Sequence, residues 1–249
     1  KHNPRVLVLM YHSISNGSGA TCTPPELFTQ QLEALRQAAY HIASLTELHG
    51  WFARNVDMPA RTAVITFDDA FADFASEAAP RLREYGYRAA VFAPTGRVGA
   101  RSDWDGEQQR PLLSWEQIRA LTSDGFEFGS HAVSHTDLTA LPDEGLRLEL
   151  AASRRLLEEE LGRPARFFAA PFGKVNDRVC SEIRAQYEMA LGVRLGAADQ
   201  DSDRYDVPRI DMHYFRRPDL WSRFLEGKGQ VYLVARKFAR SARALRWDA

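Results

Sequence analysis

Short apolar runs alternate with amphipathic segments along most of this chain, and few architectures accept that order. A strand apolar on both faces must be covered on both faces. Helices placed between such strands do the covering, which makes the sheet parallel and the chain a series of βα units. Candidate strands are residues 6–11, 63–67, 89–93, 126–129, 167–170 and 189–193. The helices between them have readable starts. Thr23-Pro24-Pro25-Glu26 has the form of a capping box with proline at the first helical position, and Leu27, Leu32 and Leu35 follow as inward residues. Ser114-Trp115-Glu116-Gln117 repeats the form ahead of Ile118 and Leu121. Beyond Asp69, residues Phe71, Phe74, Ala75, Ala78 and Leu82 fall on one helical stripe and read as core. The 249 residues would allow two small domains, but no linker divides them, and about 250 residues is the length one (β/α) barrel takes. The expectation is therefore a single α/β domain over 1–249, a barrel of parallel strands with helices outside.

Composition narrows the function classes. At 45% hydrophobic and 26% charged residues the chain can fill a sizeable core, and its formal net charge of -1 gives no electrostatic reason to expect nucleic acid as a partner. One segment departs from this balance. From Lys228 onward Arg236, Lys237, Arg240, Arg243 and Arg246 face a single acid, Asp248. A basic helical tail at about 228–249 is expected, either as a solvated face or in contact with a membrane surface or an anionic partner. Cys22 and Cys180 are too few for a disulfide framework, and their pairing is open. The chain starts at Lys1 rather than Met. A signal segment upstream would make the protein periplasmic, extracellular or membrane-associated.

Two strand ends carry the chemistry. Thr66-Phe67-Asp68-Asp69-Ala70 sets two carboxylates side by side where an apolar strand stops. Successive strand residues point to opposite faces, so the two acids share one environment only if the chain turns there. One of them can then hold a cation while the other stays free as a base. Capping the next helix is the competing use of either. His131-Ala132-Val133-Ser134-His135 follows a second strand. On a helix, positions i and i+4 lie on one face with β-carbons about 5–6 Å apart, a span across which two imidazoles grip one metal. Aspartate and two histidines leave positions open for water and a substrate oxygen, as a catalytic rather than a structural site requires. The long polar connection 97–112 leaves the C-terminal end of a strand, where α/β folds build their sites. Trp104, at its middle, either stacks on a sugar face or folds back onto the core.

In order and spacing, Tyr11-His12-Ser13-Ile14, Thr66-Phe67-Asp68-Asp69, Ser130-His131 to His135 and Ala170-Pro171-Phe172-Gly173 resemble the motifs of the polysaccharide deacetylase family. This is the family of the NodB homology domain, or carbohydrate esterase family 4. The opening motif is most similar to the branch that acts on exopolysaccharides such as poly-N-acetylglucosamine. What the resemblance implies is a distorted (β/α) barrel and hydrolysis of an acetamide on a sugar. It implies Asp68 as general base, and Asp69, His131 and His135 as ligands of one divalent ion, zinc first, with cobalt, nickel or iron as alternatives. It also implies an oxyanion contact from the backbone N–H after Pro171, at Phe172. Two positions depart from the family pattern: Ala169 stands where an arginine often orients the base, and Ala70 where glycine is usual. Arg209, in Val207-Pro208-Arg209-Ile210, is the candidate replacement, weighed against a surface ion pair. No Leu-x-His motif supplies the general acid. His213 stands at the right end of the chain and His12 is its rival.

The expected function is therefore metal-dependent removal of N-acetyl groups from a bacterial amino-sugar polysaccharide or glycan. The alternatives are a glycan-binding module of the same fold that has lost turnover, and a deacetylase of a lipid-linked sugar or an O-acetylated glycan.

Overall fold

The computed structural model describes residues 4–104, 106, 109–228 and 232–236. In chain order the strands are β1 (Val6–Tyr11), β2 (Ser13–Ile14), β3 (Cys22–Thr23), β4 (His41–Ile42), β5 (Thr62–Phe67), β6 (Ala90–Ala93), β7 (Glu127–Ser130), β8 (Phe167–Ala169), β9 (Met189–Leu195) and β10 (Val207–Asp211). The helices are α1 (Pro25–Gln37), α2 (Leu45–Phe52), α3 (Ala79–Glu84), α4 (Trp115–Ser123), α5 (Asp143–Leu161), α6 (Asp177–Gln186) and α7 (Pro218–Leu225). Every pairing in the large sheet is parallel, and β1 bonds to β10 on one side and to β5 on the other. The order β1-β10-β9-β8-β7-β6-β5 therefore closes on itself as a seven-stranded barrel with helices around it. Short β4 takes the start of β5, pairing at Thr62 and Ala63, while β6 takes its end at Thr66 and Phe67. The α/β barrel expected from the alternation is the architecture the chain adopts.

Alternation along each strand sorts the apolar residues into layers. Val6 and Val8, Val64, Ala90 and Phe92, Phe167 and Ala169, Met189 and Leu191, and Val207 form one buried cluster, the barrel interior. Leu45, Leu48 and Trp51 of α2 join it and close the end at which the strands begin. The carboxylate of Glu127, first residue of β7, docks this plug by accepting the N–H groups of Leu45 and Thr46 at 2.6 and 3.1 Å. Outward residues such as Leu7, Leu9 and Tyr11 pack on Phe28, Leu32 and Leu35 of α1. On the other flank Leu146, Leu150, Val179 and Ile183 of α5 and α6 cover Phe168 and Ala190. Among the described residues, the ends at which the strands finish carry no such plug, and polar side chains collect there.

Several local expectations change. The N-terminus of α1 is capped by no side chain: its N-cap is Pro24, and Thr23 is paired with Ile14 in the small β2–β3 sheet. Ser114 and Gln117 do form the reciprocal capping box. The stripe after Asp69 is buried at Phe71, Phe74, Ala78 and Leu82, but Phe74–Ala78 is a π turn leading into α3 rather than a continuous α-helix. Cys22 is buried, Cys180 is partly exposed, and both are free thiols. Residues 232–236 are helical, and the remaining basic positions of the tail from Lys237 onward lie outside the described residues. Among the described residues no helix is long and apolar enough to cross a membrane.

Gly129 measures how tightly the interior is filled. A β-carbon there would lie 2.5 Å from the Phe92 ring and 2.9 Å from the Phe167 carbonyl. Gly129→Ala should lower stability by about 1–3 kcal/mol, the usual cost of overpacking. The expected reading is a lower urea midpoint with an unchanged m-value, and an unchanged midpoint would show that the interior has slack.

Candidate active site

The strands deliver their last residues to the open end of the barrel. Asp68 continues the β1–β5 ladder, its N–H bonded to the Tyr11 carbonyl at 3.0 Å. Asp69 and Ala70 then adopt left-handed backbone, with φ of 73° and 54°. That turn answers the alternation problem, because two adjacent side chains now reach one cavity. Left-handed backbone costs a residue with a β-carbon about 1–2 kcal/mol, and glycine would avoid it. A similar turn carries the histidines. His131 extends the β6–β7 ladder through its N–H to the Ala93 carbonyl at 2.9 Å, and Ala132 and His135 are left-handed, with φ of 61° and 58°. Residues 131–135 are thus a tight loop, not a helix. The i, i+4 helical geometry expected for the pair is corrected: the two rings converge because the backbone turns twice between them.

The rings and the carboxylate meet closely. Asp69 Oδ1 lies 3.2 Å from His131 Nε2 and 3.0 Å from His135 Nε2. The Nδ1–H of His131 donates to the Ala169 carbonyl at 2.7 Å, which fixes the ring and turns Nε2 toward Asp69. Among the described residues, His135 has no such acceptor for Nδ1. Its ring is held by stacking on Trp104, at 3.9 Å between centroids and 17° between planes, and by the edge of Phe172 at 4.7 Å. Trp104 also donates its indole N–H to Asp69 Oδ2 at 3.3 Å. It covers the Asp–His cluster from the cavity wall.

Arg209 reaches the other acid. Its guanidinium is fully shielded from solvent and meets Asp68 with two parallel hydrogen bonds of 2.8 Å each. Nε donates to the Gly192 carbonyl at 2.7 Å and Nη1 also reaches the Thr66 hydroxyl at 3.3 Å. Burial pushes the Asp68 carboxyl up, and the Arg209 guanidinium outweighs it and holds the group below the usual carboxylate range. Burial acts the same way on Asp69, and the hydrogen bonds from His131 and His135 hold it well below that range.

Asp68, Asp69, His131, His135, His12, Trp104 and Phe172 line one open cavity of about 390 Å³, with Met10, Thr21, Gly173 and Val193. Pro171 is buried. Phe172 is left-handed, with φ 58° and ψ 3°, and 53% exposed. The turn's two hydrogen bonds come from the Gly173 and Lys174 N–H groups, so the Phe172 N–H takes no part in them. His213 does not line the cavity. It sits in a 3-10 turn after β10 with its ring against Tyr214. Thr66 and the Gly192 carbonyl, which orient Arg209, were not among the residues expected from sequence. A threonine inside an apolar strand was the available signal.

The donor set fits a divalent cation. Asp69, His131 and His135 are buried, each presents one ligand atom, and those atoms lie within 4.8 Å of one another. Imidazole and carboxylate suit zinc and its neighbours, and three protein ligands leave a position open.

Removing the partner of Asp68 tests the electrostatics. Arg209→Met should destabilise the chelator-treated protein by about 3–5 kcal/mol near neutral pH, because it strands a buried carboxylate. In the wild type the depressed carboxyl contributes stability above its unfolded pKa of about 3.9, lost as pH falls through the folded value. In the variant, burial is opposed only by the influence of His131 and His12, so protonation relieves the site as pH falls. The stability gap between the two proteins should narrow on acidification, as thermal melting across pH would read. A constant gap would contradict the assignment.

Known proteins share these features. A sequence profile for polysaccharide deacetylases matches residues 55–190, more than half of the chain, from before β5 into β9. YxkH of Bacillus subtilis (strain 168), a protein assigned to the polysaccharide deacetylases, is 25% identical over 204 residues, 82% of this chain and 70% of YxkH. Among solved structures, the Streptococcus pyogenes deacetylase PplD, determined in complex with acetate, aligns with a TM-score of 0.74 at 25% identity, over 84% of this chain and 92% of PplD. IcaB from Ammonifex degensii has the same fold, with a TM-score of 0.78 at 24% identity over 91% of this chain and 97% of IcaB. The matched region supplies the Asp-Asp pair, the two histidines and the proline turn at the open end of a closed parallel barrel, and on that match the chain belongs to the polysaccharide deacetylase family.

Proposed function

We propose that this protein is a metal-dependent deacetylase that hydrolyses N-acetyl groups on a bacterial amino-sugar glycan of the N-acetylglucosamine type. One observation carries the reading: a buried Asp–His–His cluster stands beside a second carboxylate that Arg209 holds in a fixed orientation. Asp69, His131 and His135 would hold a divalent ion, zinc or else cobalt, nickel or iron, which would supply Lewis acidity toward water and an amide oxygen. Asp68, ionised and locked by Arg209, accepts the proton of the attacking water. As the water oxygen bonds to the acetamide carbon, negative charge moves to the former carbonyl oxygen, where the Phe172 N–H is available as a donor. The C–N bond then breaks with its electron pair remaining on nitrogen. His12, the third histidine of the cavity wall, gives that nitrogen a proton, and acetate and a free amine leave. Trp104 and Phe172 offer apolar faces to the sugar on either side of His135.

Ala169 in place of the family's arginine favoured a module without turnover, and the Arg209–Asp68 pair supports turnover instead. The protein should release acetate from N-acetylglucosamine oligomers, lose that activity to a chelator and regain it with zinc, cobalt or nickel. Asp68→Asn should cut kcat by about 10²–10⁴-fold while metal binding survives; full activity in that variant would remove Asp68 as the base. His12→Gln should lower kcat about 10²-fold. An unchanged rate would remove His12 from the proton-donor role.

A further inference from the structure

We propose that Glu149, on α5 outside the barrel wall, is the positioning residue that sets the spacing of the two metal-binding histidines; this rests on the metal reading above. From His131 to His135 the chain passes twice through left-handed backbone, at Ala132 and at His135 itself, neither of them glycine. Such a conformation persists where the surroundings over-determine it. On one side of the loop, the carbonyls of Ala132 and Val133 accept the N–H groups of Thr95 and Gly96 at 3.0 and 2.9 Å. Gly96 packs so closely there that a β-carbon would lie 2.7 Å from the Val133 side chain. The Ser153 hydroxyl adds a bond to the Ala132 carbonyl at 3.0 Å, and the Ala132 N–H reaches the Ser130 hydroxyl at 3.2 Å.

On the other side the successive N–H groups of Val133 and Ser134 converge on Glu149 Oε2 at 2.8 and 3.0 Å, and the Ser134 hydroxyl donates to Oε1 at 2.7 Å. Consecutive N–H groups after a left-handed residue form a concave anion cradle, here filled from within the chain. The anchor of that anion is rigid, since Leu146 and Leu150 beside it on α5 are fully buried against Phe168 and Ala190. Glu149 therefore ties the segment between the two ligands to a packed helix, without touching either imidazole.

The full chain and its Glu149→Ala, Glu149→Gln and Ser134→Ala variants would be compared by zinc competition with a chromophoric chelator, by the visible spectrum of the cobalt form, and by melting with and without zinc. Glu149→Ala should weaken zinc binding about 10–100-fold, alter the cobalt spectrum and shrink the rise in melting temperature that zinc produces. Glu149→Gln keeps an oxygen for the two N–H groups and should restore most of the affinity. Ser134→Ala, which deletes one hydroxyl bond, should weaken zinc to a smaller degree, and it decides the matter if Glu149→Ala does not fold. A folded Glu149→Ala protein with wild-type zinc affinity and cobalt spectrum would overturn the proposal, as would an equal melting loss with and without zinc. A wild-type chain that binds neither ion would remove the metal reading itself, and this proposal with it.

Discussion

Arg209 enters the barrel from β10 with its guanidinium withdrawn from water, and a cation buried that far is tolerated only where its donors are used. Four contacts use them: two to Asp68, one to the Thr66 hydroxyl and one to the Gly192 carbonyl. These tie β10, β5 and β9 together at the level where the apolar filling of the barrel stops. They also set the charge and direction of Asp68, so the residue beside it is free to face the histidines. An isosteric apolar pair could fill that space at no loss of stability. Its retention makes sense through what a fixed, ionised carboxylate does in the cavity above.

Legibility in the sequence follows the same boundary. Six of the seven barrel strands read directly from apolar runs, because strands covered on both faces have no polar alternation to confuse with another element. The seventh, β10, carries Pro208 and Arg209 in its middle, two residues that argue against a strand by ordinary propensity. Its register against β9 shifts between Val207 and Arg209, which accommodates the irregularity. The very residue that hides this strand is the one the cavity requires. Arg209 could be picked out as a partner for Asp68 from the gap at Ala169, but not from periodicity.

Loop geometry was the least legible level. Two histidines four apart suggest a helix, and the local sequence Ala132-Val133-Ser134 does not oppose one. What overrides it is tertiary: the N–H groups and carbonyls of this segment find partners on β6's extension and on α5 rather than within the segment. A backbone whose hydrogen bonds are satisfied from outside has no need of helical ones. The side-chain constellation could be assembled from motif order, while the conformation that makes it converge could not.

Among the described residues, five of the eight non-glycine positions with left-handed backbone, Asp69, Ala70, Ala132, His135 and Phe172, gather around the site. All five lie just beyond the ends of β5, β7 and β8, and Asp69, His135 and Phe172 among them line the cavity. A strand running straight on would send alternate residues to opposite faces, and Asp68 would then lose Asp69 as a neighbour in the same space. Each turn bends a strand end inward at the cost of an unfavourable φ. The closed, tightly filled barrel beneath holds those ends in place, since its strands cannot slide without displacing the interior around Phe92 and Phe167. Rigidity at the plugged end and strain at the open end are thus one arrangement: the first is what allows the second to persist.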